Sequence, residues 1–234
     1  MHTIASITHE LSGLPADQGL AWVSRQFKNV AFSSALGEED QIITHLISTQ
    51  HLPIEIFTLD TGRLFAESYD LLDLTRKKYQ RPITTYFPDS TTVEAWINAN
   101  GINAFYDSVE NRKECCNIRK VQPLRRALAK ADVWVTGLRG QQSANRQQMA
   151  RVEWDHQMNL IKYNPLLEWT DEEMRHFISH HHIPVNPLHK KGYVSIGCAP
   201  CTRAILPGED SRAGRWWWET SAKECGLHET HVKK

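Results

Sequence analysis

Residues 30–50 read VAFSSALGEEDQIITHLISTQ, and this stretch predicts a buried β-strand that turns directly into an α-helix. The strand covers residues 30–34, where apolar side chains lead into two serines. The helix covers residues 38–50, and its isoleucine and leucine residues recur on one face. A strand followed at once by an amphipathic helix is typical of the repeating unit of α/β proteins.

The same alternation continues along the chain and predicts an α/β fold. Strands that alternate with helices indicate a parallel sheet covered by helices on both faces. Beyond about Pro187, loops and a tail replace the periodic pattern. Further strands are predicted at residues 54–59, 83–87, 132–138 and 158–163, and further helices at 64–79, 92–98, 114–130 with a bend near Pro123, and from Thr170 to about His180.

The chain has 234 residues and a formal net charge of zero, which fits one globular domain. A neutral chain argues against broad binding to nucleic acid or to anionic membranes. Residues 1–18 show no signal peptide, and no apolar run approaches the roughly 20 residues that span a bilayer. We therefore expect a cytoplasmic protein with no membrane or nucleic-acid partner. The sequence allows a homo-oligomer without specifying one.

Four of the five cysteines form two close pairs, Cys115-Cys116 and Cys198-x-x-Cys201. In a reducing compartment such pairs hold metal or do redox chemistry more often than they form structural disulfides. Adjacent cysteines are hard to aim at one tetrahedral zinc ion, whereas a cubane iron–sulfur cluster spreads its ligands over four iron atoms. The spacing therefore favours a cluster over zinc, and two reduced pairs without metal are the remaining alternative.

The fifth cysteine, Cys225, stands alone in a polar segment near the C-terminus. Lys223 and His228 lie close to it in sequence, and positive charge of this kind stabilises a reactive thiolate. An inert surface thiol is the alternative interpretation.

Polar residues follow the predicted strands at three places. The turn after the first strand contains Ser33 and Ser34, and backbone N–H groups at the start of a helix suit a phosphate. The turn has no Walker lysine, and ordinary tight turns use the same residues. Asp60 follows the second strand, and Arg139 and Arg146 follow the fourth. Because the carboxyl ends of parallel strands meet at one edge, we expect a site for a small polyanion there.

Short motifs along the chain resemble those of the adenylyl-sulfate/phosphoadenylyl-sulfate (APS/PAPS) reductase family. They occur in the family's order from about residue 30 to residue 228, and the four paired cysteines resemble the branch that acts on APS. Family members often have a proline where this chain has Ala144. The motifs are SSxxGxED from Ser33, TLDTGR from Thr58, CCxxRK from Cys115, TGLRxxQS from Thr136, GCxxCTR from Gly197, GRWWWE from Gly214 and KECGLH from Lys223.

The resemblance implies an adenine nucleotide α-hydrolase-like fold. It implies one domain over residues 1–218 with a nucleotide site and an iron–sulfur centre, followed by a mobile C-terminal tail, residues 219–234, that carries Cys225. The ligands of one [4Fe–4S] cluster per chain would be Cys115, Cys116, Cys198 and Cys201. Together with Arg146 from the strand pattern, the implied substrate-binding residues are Ser33, Ser34, Asp60, Arg63, Lys120, Arg139, Arg212 and Arg215.

The resemblance also implies an enzyme, an oxidoreductase that acts on a sulfur group with a disulfide as acceptor. Cys225 would attack the sulfur of APS, release AMP and form an S-sulfocysteine (thiosulfonate) intermediate, in assimilatory sulfate reduction for cysteine biosynthesis. Thioredoxin or a glutaredoxin-like thiol donor would then free sulfite. PAPS reduction or dual specificity is an alternative. Less probable alternatives are an ATP pyrophosphatase-type nucleotide-activating enzyme, whose glycine-rich loop the Ser33 turn does not match, and a zinc-stabilised binding module.

Overall fold

The computed structural model describes residues 3–142, residue 146 and residues 148–219. A six-stranded sheet lies at the centre, in the order β3-β2-β1-β4-β6-β5. Five strands are parallel, and β5 pairs antiparallel with β6. The predicted parallel sheet is confirmed, with an antiparallel edge strand that the sequence pattern did not predict. The strands are β1 (Val30–Ser33), β2 (Glu55–Leu59), β3 (Thr84–Tyr86), β4 (Val133–Val135), β5 (Val152–Asp155) and β6 (Leu160–Tyr163).

Eight α-helices surround the sheet in the described part of the chain. The two helices before β1 were not predicted from the sequence. None of the described helices has the length and apolar content that a membrane span needs. The helices are α1 (Ile4–Leu11), α2 (Ala16–Gln26), α3 (Glu38–Thr49), α4 (Ala66–Tyr79), α5 (Ser90–Asn100), α6 (Val109–Cys116), α7 (Gln122–Leu128) and α8 (Asp171–His180).

Apolar side chains cover both faces of the sheet, as the alternating pattern predicts. On one face, α1, α2, α3 and α8 pack against the strands, and Ile42 and Ile43 of α3 are fully buried there. On the other face, Leu124 and Leu128 of α7 pack with Trp134 of β4. The stripe of isoleucine and leucine in residues 38–50 therefore forms because one side of α3 lies on the sheet.

The predicted helix at residues 114–130 consists of three segments in the structure. α6 begins earlier than predicted because the Ser108 side chain accepts a hydrogen bond from the Asn111 backbone N–H at 3.0 Å and caps it. A π-helical turn, Asn117–Val121, then joins α6 to α7, and Pro123 lies in the first turn of α7. The distortion near Pro123 is thus a π-helical turn directly before it, and such turns are frequent at functional sites.

The connections of the sheet place a crevice beside β1. β1 pairs with β2 on one side and with β4 on the other. The connection after β1 therefore runs to one side of the sheet, and the chain later crosses to the other side to form β4. Open α/β sheets bind their ligands at this switch point, outside the carboxyl ends of the strands.

The chain after α8 consists of loops and short 3-10 turns as far as it is described, which confirms the expectation for this region. The turns cover Pro187–Lys191 and Ala199–Cys201, and Thr202 and Arg215 form an isolated antiparallel bridge. The proposed nucleophile Cys225 lies outside the described residues, and the division into a domain and a tail stays a prediction.

Candidate active site

The four paired cysteines line one pocket at the end of α6. Cys115 and Cys116 are the last residues of this helix, and Cys198 and Cys201 belong to the turn around Ala199–Cys201. Three of the four side chains are buried, and Cys115 is half-buried. The remaining residues that line the pocket are Arg63, Phe105, Arg112, Arg119, Lys120, Pro200 and Trp216.

Local hydrogen bonds attach the second cysteine pair to the sheet. The Ala199 backbone N–H donates to the Arg63 carbonyl at 2.8 Å, which links the cysteine turn to the loop after β2. The Thr61 hydroxyl lies 3.2 Å from the Cys198 sulfur. The cysteines are therefore held next to the carboxyl end of β2, although they are far from it in sequence.

Two of the pocket thiols, Cys115 and Cys201, have raised pKa values. Burial raises the pKa of the Cys115 thiol, and burial together with the neighbouring Cys198 raises the pKa of Cys201 to about 12. Lys120 and Arg215 oppose the shift at Cys201 but do not cancel it. Thiolates are the metal-binding form of cysteine, so a metal that binds here must displace the protons.

The arrangement of the four sulfurs bears on which metal centre they could hold. Within residues 3–142, 146 and 148–219, no group of three or more His, Cys, Asp or Glu side chains could hold a metal ion. A mononuclear zinc site needs its ligands around one point, and zinc stays an alternative to the cluster. In a cubane cluster each cysteine binds its own iron, so four cysteines around one pocket are the donor set that the cluster needs.

Buried cations and an indole surround the cysteine pocket. Arg112 and Arg215 lie on the ring of Trp216, with guanidinium carbons 4.6 Å and 4.8 Å from its centroid. The Arg112 side chain is 1% exposed and forms a bidentate ion pair with Glu219 at 3.0 Å and 2.9 Å. A Cβ at Gly197 would lie 2.3 Å from the Arg215 guanidinium, so only glycine allows this approach. The positive charges suit an anionic centre.

The turn after β1 presents backbone and hydroxyl groups at the switch point. Ser33 is half-buried at the end of β1, and its Oγ accepts a hydrogen bond from the Trp134 indole at 2.8 Å. Ser34 is buried, and its Oγ accepts a hydrogen bond from the Leu36 N–H at 3.2 Å. Leu36 has a positive φ of 62°, which turns the chain sharply into α3.

Asp40 is a buried carboxylate inside this turn that the site prediction did not include. Its Oδ2 accepts hydrogen bonds from the N–H groups of Ala35 at 2.7 Å and Gly37 at 3.4 Å. Burial and the neighbouring Glu39 nevertheless raise its pKa to about 7. A Cβ at Gly137 would lie 2.0 Å from Asp40 Oδ1, so the loops after β1 and β4 meet at this carboxylate.

Arg139, a predicted substrate residue, is buried in an ion-pair network. Its Nε lies 3.0 Å from Glu39 of α3, and another guanidinium nitrogen lies 2.6 Å from Asp171 of α8. The same guanidinium donates to the Trp169 carbonyl at 3.2 Å. The two carboxylates fix the position of Arg139, and sequence reasoning missed both because they lie on separate helices.

The other predicted residues fall into two groups in the structure. Asp60 accepts hydrogen bonds from the Gly62 N–H and the Tyr69 hydroxyl at the tip of β2. Arg63 and Lys120 line the cysteine pocket instead of the β1 turn, and Arg215 lies on the ring of Trp216, which lines the same pocket. Arg146 is buried and donates to the Gln142 side chain, beside the Arg139 loop.

Arg212, the last of the predicted substrate-binding residues, is half-buried in the loop after Glu209. Its backbone N–H donates to Asp210 at 2.8 Å. The adjacent Ser211 hydroxyl donates to the Gln142 carbonyl at 3.1 Å. The loop that follows the second cysteine pair therefore contacts the loop after β4, which joins the two groups.

Comparison with known proteins agrees with this geometry. Residues 29–204 match the family model described as the phosphoadenosine phosphosulfate reductase domain. The chain belongs to the phosphoadenosine phosphosulfate reductase family. It is 47% identical over 98% of its length to the adenosine 5'-phosphosulfate reductase of Burkholderia cepacia, covering 93% of that protein. It is 49% identical over 89% of its length to the enzyme of the same name from Allochromatium vinosum, covering 82%.

Comparison with solved structures supports the fold. A phosphoadenylyl-sulfate reductase from Candida auris in a phosphate complex has a TM-score of 0.74 and 25% identity, over 86% of this chain and 96% of that one. The yeast FAD synthetase, with 14% identity over 87% of this chain and 69% of that one, has a TM-score of 0.54 and shows the shared fold alone. The expected adenine nucleotide α-hydrolase-like fold is therefore confirmed for this member of the phosphoadenosine phosphosulfate reductase family.

Proposed function

We propose that the protein is an assimilatory APS reductase, an enzyme that reduces adenosine 5'-phosphosulfate to sulfite and AMP in the cytoplasm. The observation that carries the proposal is a pocket lined by four cysteines and by four cations, Arg63, Arg112, Arg119 and Lys120. A fold alone would not indicate this activity, because related folds carry other chemistry. The high identity to relatives named adenosine 5'-phosphosulfate reductase supports the same reaction.

APS is the preferred substrate in this proposal. Relatives named for APS are 45% to 53% identical to the chain, whereas the Candida auris enzyme, which is named for PAPS, is 25% identical. The four cysteines point the same way, since the sequence motifs that contain them resemble the APS branch. PAPS reduction is the second candidate and is included in the test below.

The residues at the strand ends would bind the anionic part of the substrate. The N–H groups and hydroxyls of the β1 turn lie at the start of α3, where the helix dipole favours negative charge. Arg139, oriented by Glu39 and Asp171, would supply guanidinium N–H donors at the same edge. Preorganised donors lower the cost of charge that develops on the leaving phosphate.

Cys225 would be the nucleophile, as a thiolate. Its sulfur forms a bond to the sulfur of the substrate, and the bond from that sulfur to the bridging oxygen breaks. The electron pair leaves on the phosphate of AMP, and S-sulfocysteine forms on the enzyme. Reduced thioredoxin, or a glutaredoxin-like dithiol, then supplies two electrons and becomes a disulfide, which frees sulfite and the Cys225 thiol.

Cys115, Cys116, Cys198 and Cys201 would hold one [4Fe–4S] cluster per chain. When bound, the cluster would supply fixed charge and a rigid cross-link between α6 and the cysteine turn. Arg63, Arg112, Arg119 and Lys120 line the same pocket, so this chain's own cations would surround the anionic cluster.

Sulfite release tests the proposal directly. The purified full-length protein is incubated with reduced thioredoxin and either APS or PAPS, and sulfite and AMP are quantified. We expect stoichiometric sulfite and AMP from APS, and no sulfite when thioredoxin is omitted. Sulfite from PAPS and none from APS would favour the second candidate, PAPS reduction. No sulfite from either substrate would overturn the proposal.

A further inference from the structure

A side-chain hydrogen bond joins β1 and β4 at the switch point of the sheet. The Trp134 indole is 1% exposed, and its Nε1 donates to Ser33 Oγ at 2.8 Å. Trp134 pairs with Ala31 across the two strands, and Ser33 lies two residues further on, so its side chain is on the same face. The bond therefore ends at the place where an open α/β sheet binds its ligand.

The chemistry of the two groups fixes the role of the serine hydroxyl. An indole N–H can only donate a hydrogen bond, whereas a serine hydroxyl has one proton and two acceptor lone pairs. Ser33 Oγ must accept from Trp134, so its own proton is directed to another acceptor. The oxygens of an ionised phosphate or phosphosulfate accept hydrogen bonds and have no proton to donate. A Ser33 hydroxyl that acts as a donor matches such an oxygen.

Neighbouring strands hold the indole in this orientation. Lys162 of β6 pairs with Trp134 in the sheet, and its ammonium lies 5.6 Å from the indole centroid. The Lys162 side chain is 3% exposed and forms an ion pair with Glu153 of β5 at 3.0 Å. Glu153, Lys162 and Trp134 thus form one row across the sheet that ends at Ser33. A cation over an aromatic face restricts the tilt of the ring.

We propose that Trp134 is a positioning residue that holds the Ser33 hydroxyl as a hydrogen-bond donor to an anionic oxygen of the nucleotide. Trp134 acts through Ser33 and does not itself touch the substrate. The proposal rests on the proposed function insofar as the ligand is an adenine nucleotide.

A double-mutant cycle tests the coupling. The Kd of AMP is measured by calorimetry for the wild type, Ser33→Ala, Trp134→Phe and the double variant. One hydrogen bond to a charged oxygen is worth about tenfold in affinity, so we expect each single variant to bind about tenfold more weakly. If Trp134 acts through Ser33, the double variant loses about tenfold as well. A loss of about a hundredfold, the product of two independent effects, would overturn the proposal.

Trp22→Phe is the matched control for the loss of a core tryptophan. Trp22 packs at the edge of the core against Phe27, on the opposite face of the sheet from Trp134. When Trp22→Phe is combined with Ser33→Ala, the Kd of AMP should change by the product of the two separate effects. If Trp134→Phe does not fold, the indole ¹⁵N–¹H resonance of Trp134 replaces it. AMP should shift this resonance in the wild type and much less in Ser33→Ala, and an equal shift in both would overturn the proposal.

The same proteins separate this proposal from the proposed function. Suppose that the wild type releases sulfite but the losses of AMP affinity in Ser33→Ala and Trp134→Phe add up in the double variant. The reductase assignment would then stand, and the role of Trp134 would be overturned. If the double variant loses no more AMP affinity than each single variant but the wild type releases no sulfite, the role of Trp134 would stand and the reductase assignment would be overturned. If AMP does not bind the wild type, the role of Trp134 is overturned, and sulfite release from APS still decides the reaction.

Discussion

The cysteine pocket and the β1–β4 edge are neighbouring regions whose ionisable groups differ in the partners that the chain gives them. In the pocket, buried thiols have raised pKa values, so the fold itself favours their protonated form. At the edge, Arg139 is held by two carboxylates and Asp40 by backbone N–H groups. The edge groups have partners within the chain, whereas the proposed metal centre would be needed to stabilise thiolates in the pocket.

The variant with the largest expected effect replaces one of the four cysteines that would bind the cluster. Cys198→Ser should lose bound iron and the broad visible absorbance of a cluster, and it should lower the free energy of unfolding by about 4 kcal/mol or more. Sulfite formation should stop, while the Kd of AMP should change less than about tenfold because the edge does not need the cluster. Iron analysis, absorbance, denaturation and calorimetry measure these effects.

Cys225→Ser is the matched control, because it removes a thiol without removing a predicted ligand. It should keep iron and AMP binding and lower sulfite formation by about 10³-fold or more. Equal loss of iron in both variants would remove the distinction between the four paired cysteines and the fifth. Loss of AMP binding in Cys198→Ser would show that the edge is not organised independently of the pocket.

A second test breaks the buried ion pair beside the pocket. Arg112→Met removes the bidentate partner of Glu219, whose side chain is 4% exposed. Breaking a buried pair costs about 3 kcal/mol or more, and Glu219→Met in the same protein should recover part of this loss. Thermal or chemical denaturation measures both. Lys77→Met, which breaks the exposed pair with Asp73, should cost no more than about 0.5 kcal/mol. Equal costs for the two pairs would contradict the buried character of the pocket wall.

The smallest effect concerns Asp40 at the edge and depends on pH. Its pKa of about 7 lies above the ordinary 3.8, so the fold prefers the protonated carboxyl. The contribution of Asp40 to stability is therefore fully present below about pH 4 and is lost as the pH rises through about 7. The free energy of unfolding of Asp40→Asn, relative to that of the wild type, should therefore rise by about 3 kcal/mol between pH 5 and pH 8.

Chemical denaturation at the two pH values measures this gain, with Asp73→Asn on the exposed surface of α4 as the control. Glu39 and Arg146, whose charges act on Asp40 in opposite directions, should be left unchanged. A difference between Asp40→Asn and wild type that does not vary with pH would contradict the raised pKa.

Much of the fold follows from local periodicity, and the exceptions have physical reasons. The strand and helix of residues 30–50 are confirmed because one strong apolar stripe defines each element. α1 and α2 were missed, although Thr3 caps α1 with a full capping box. β5 was missed because its four residues, VEWD, have one buried position and too short a pattern. The π-helical turn before Pro123 depends on backbone geometry that residue spacing does not encode.

The site was predictable where motifs are local and not where contacts are long-range. The four cysteines that the motifs single out do line one pocket. The contacts of Asp40 with the Gly137 loop, and of Trp134 with Ser33, join residues about a hundred positions apart. The strand order brings these pairs together, and the spacing of residues along the chain does not predict the strand order.

The Arg112–Glu219 pair also limits how far the proposed nucleophile, Cys225, can be from the pocket. Cys225 follows Glu219 by six residues, and six extended residues reach at most about 20 Å. Whatever path the chain takes, the thiol is confined to a sphere of that radius around an anchored point. One thiol in that volume has an effective concentration of no less than about 50 mM, independent of how dilute the protein is. The ion pair thus anchors the start of the segment that contains Cys225, and it would make the proposed attack on a bound substrate an intramolecular event.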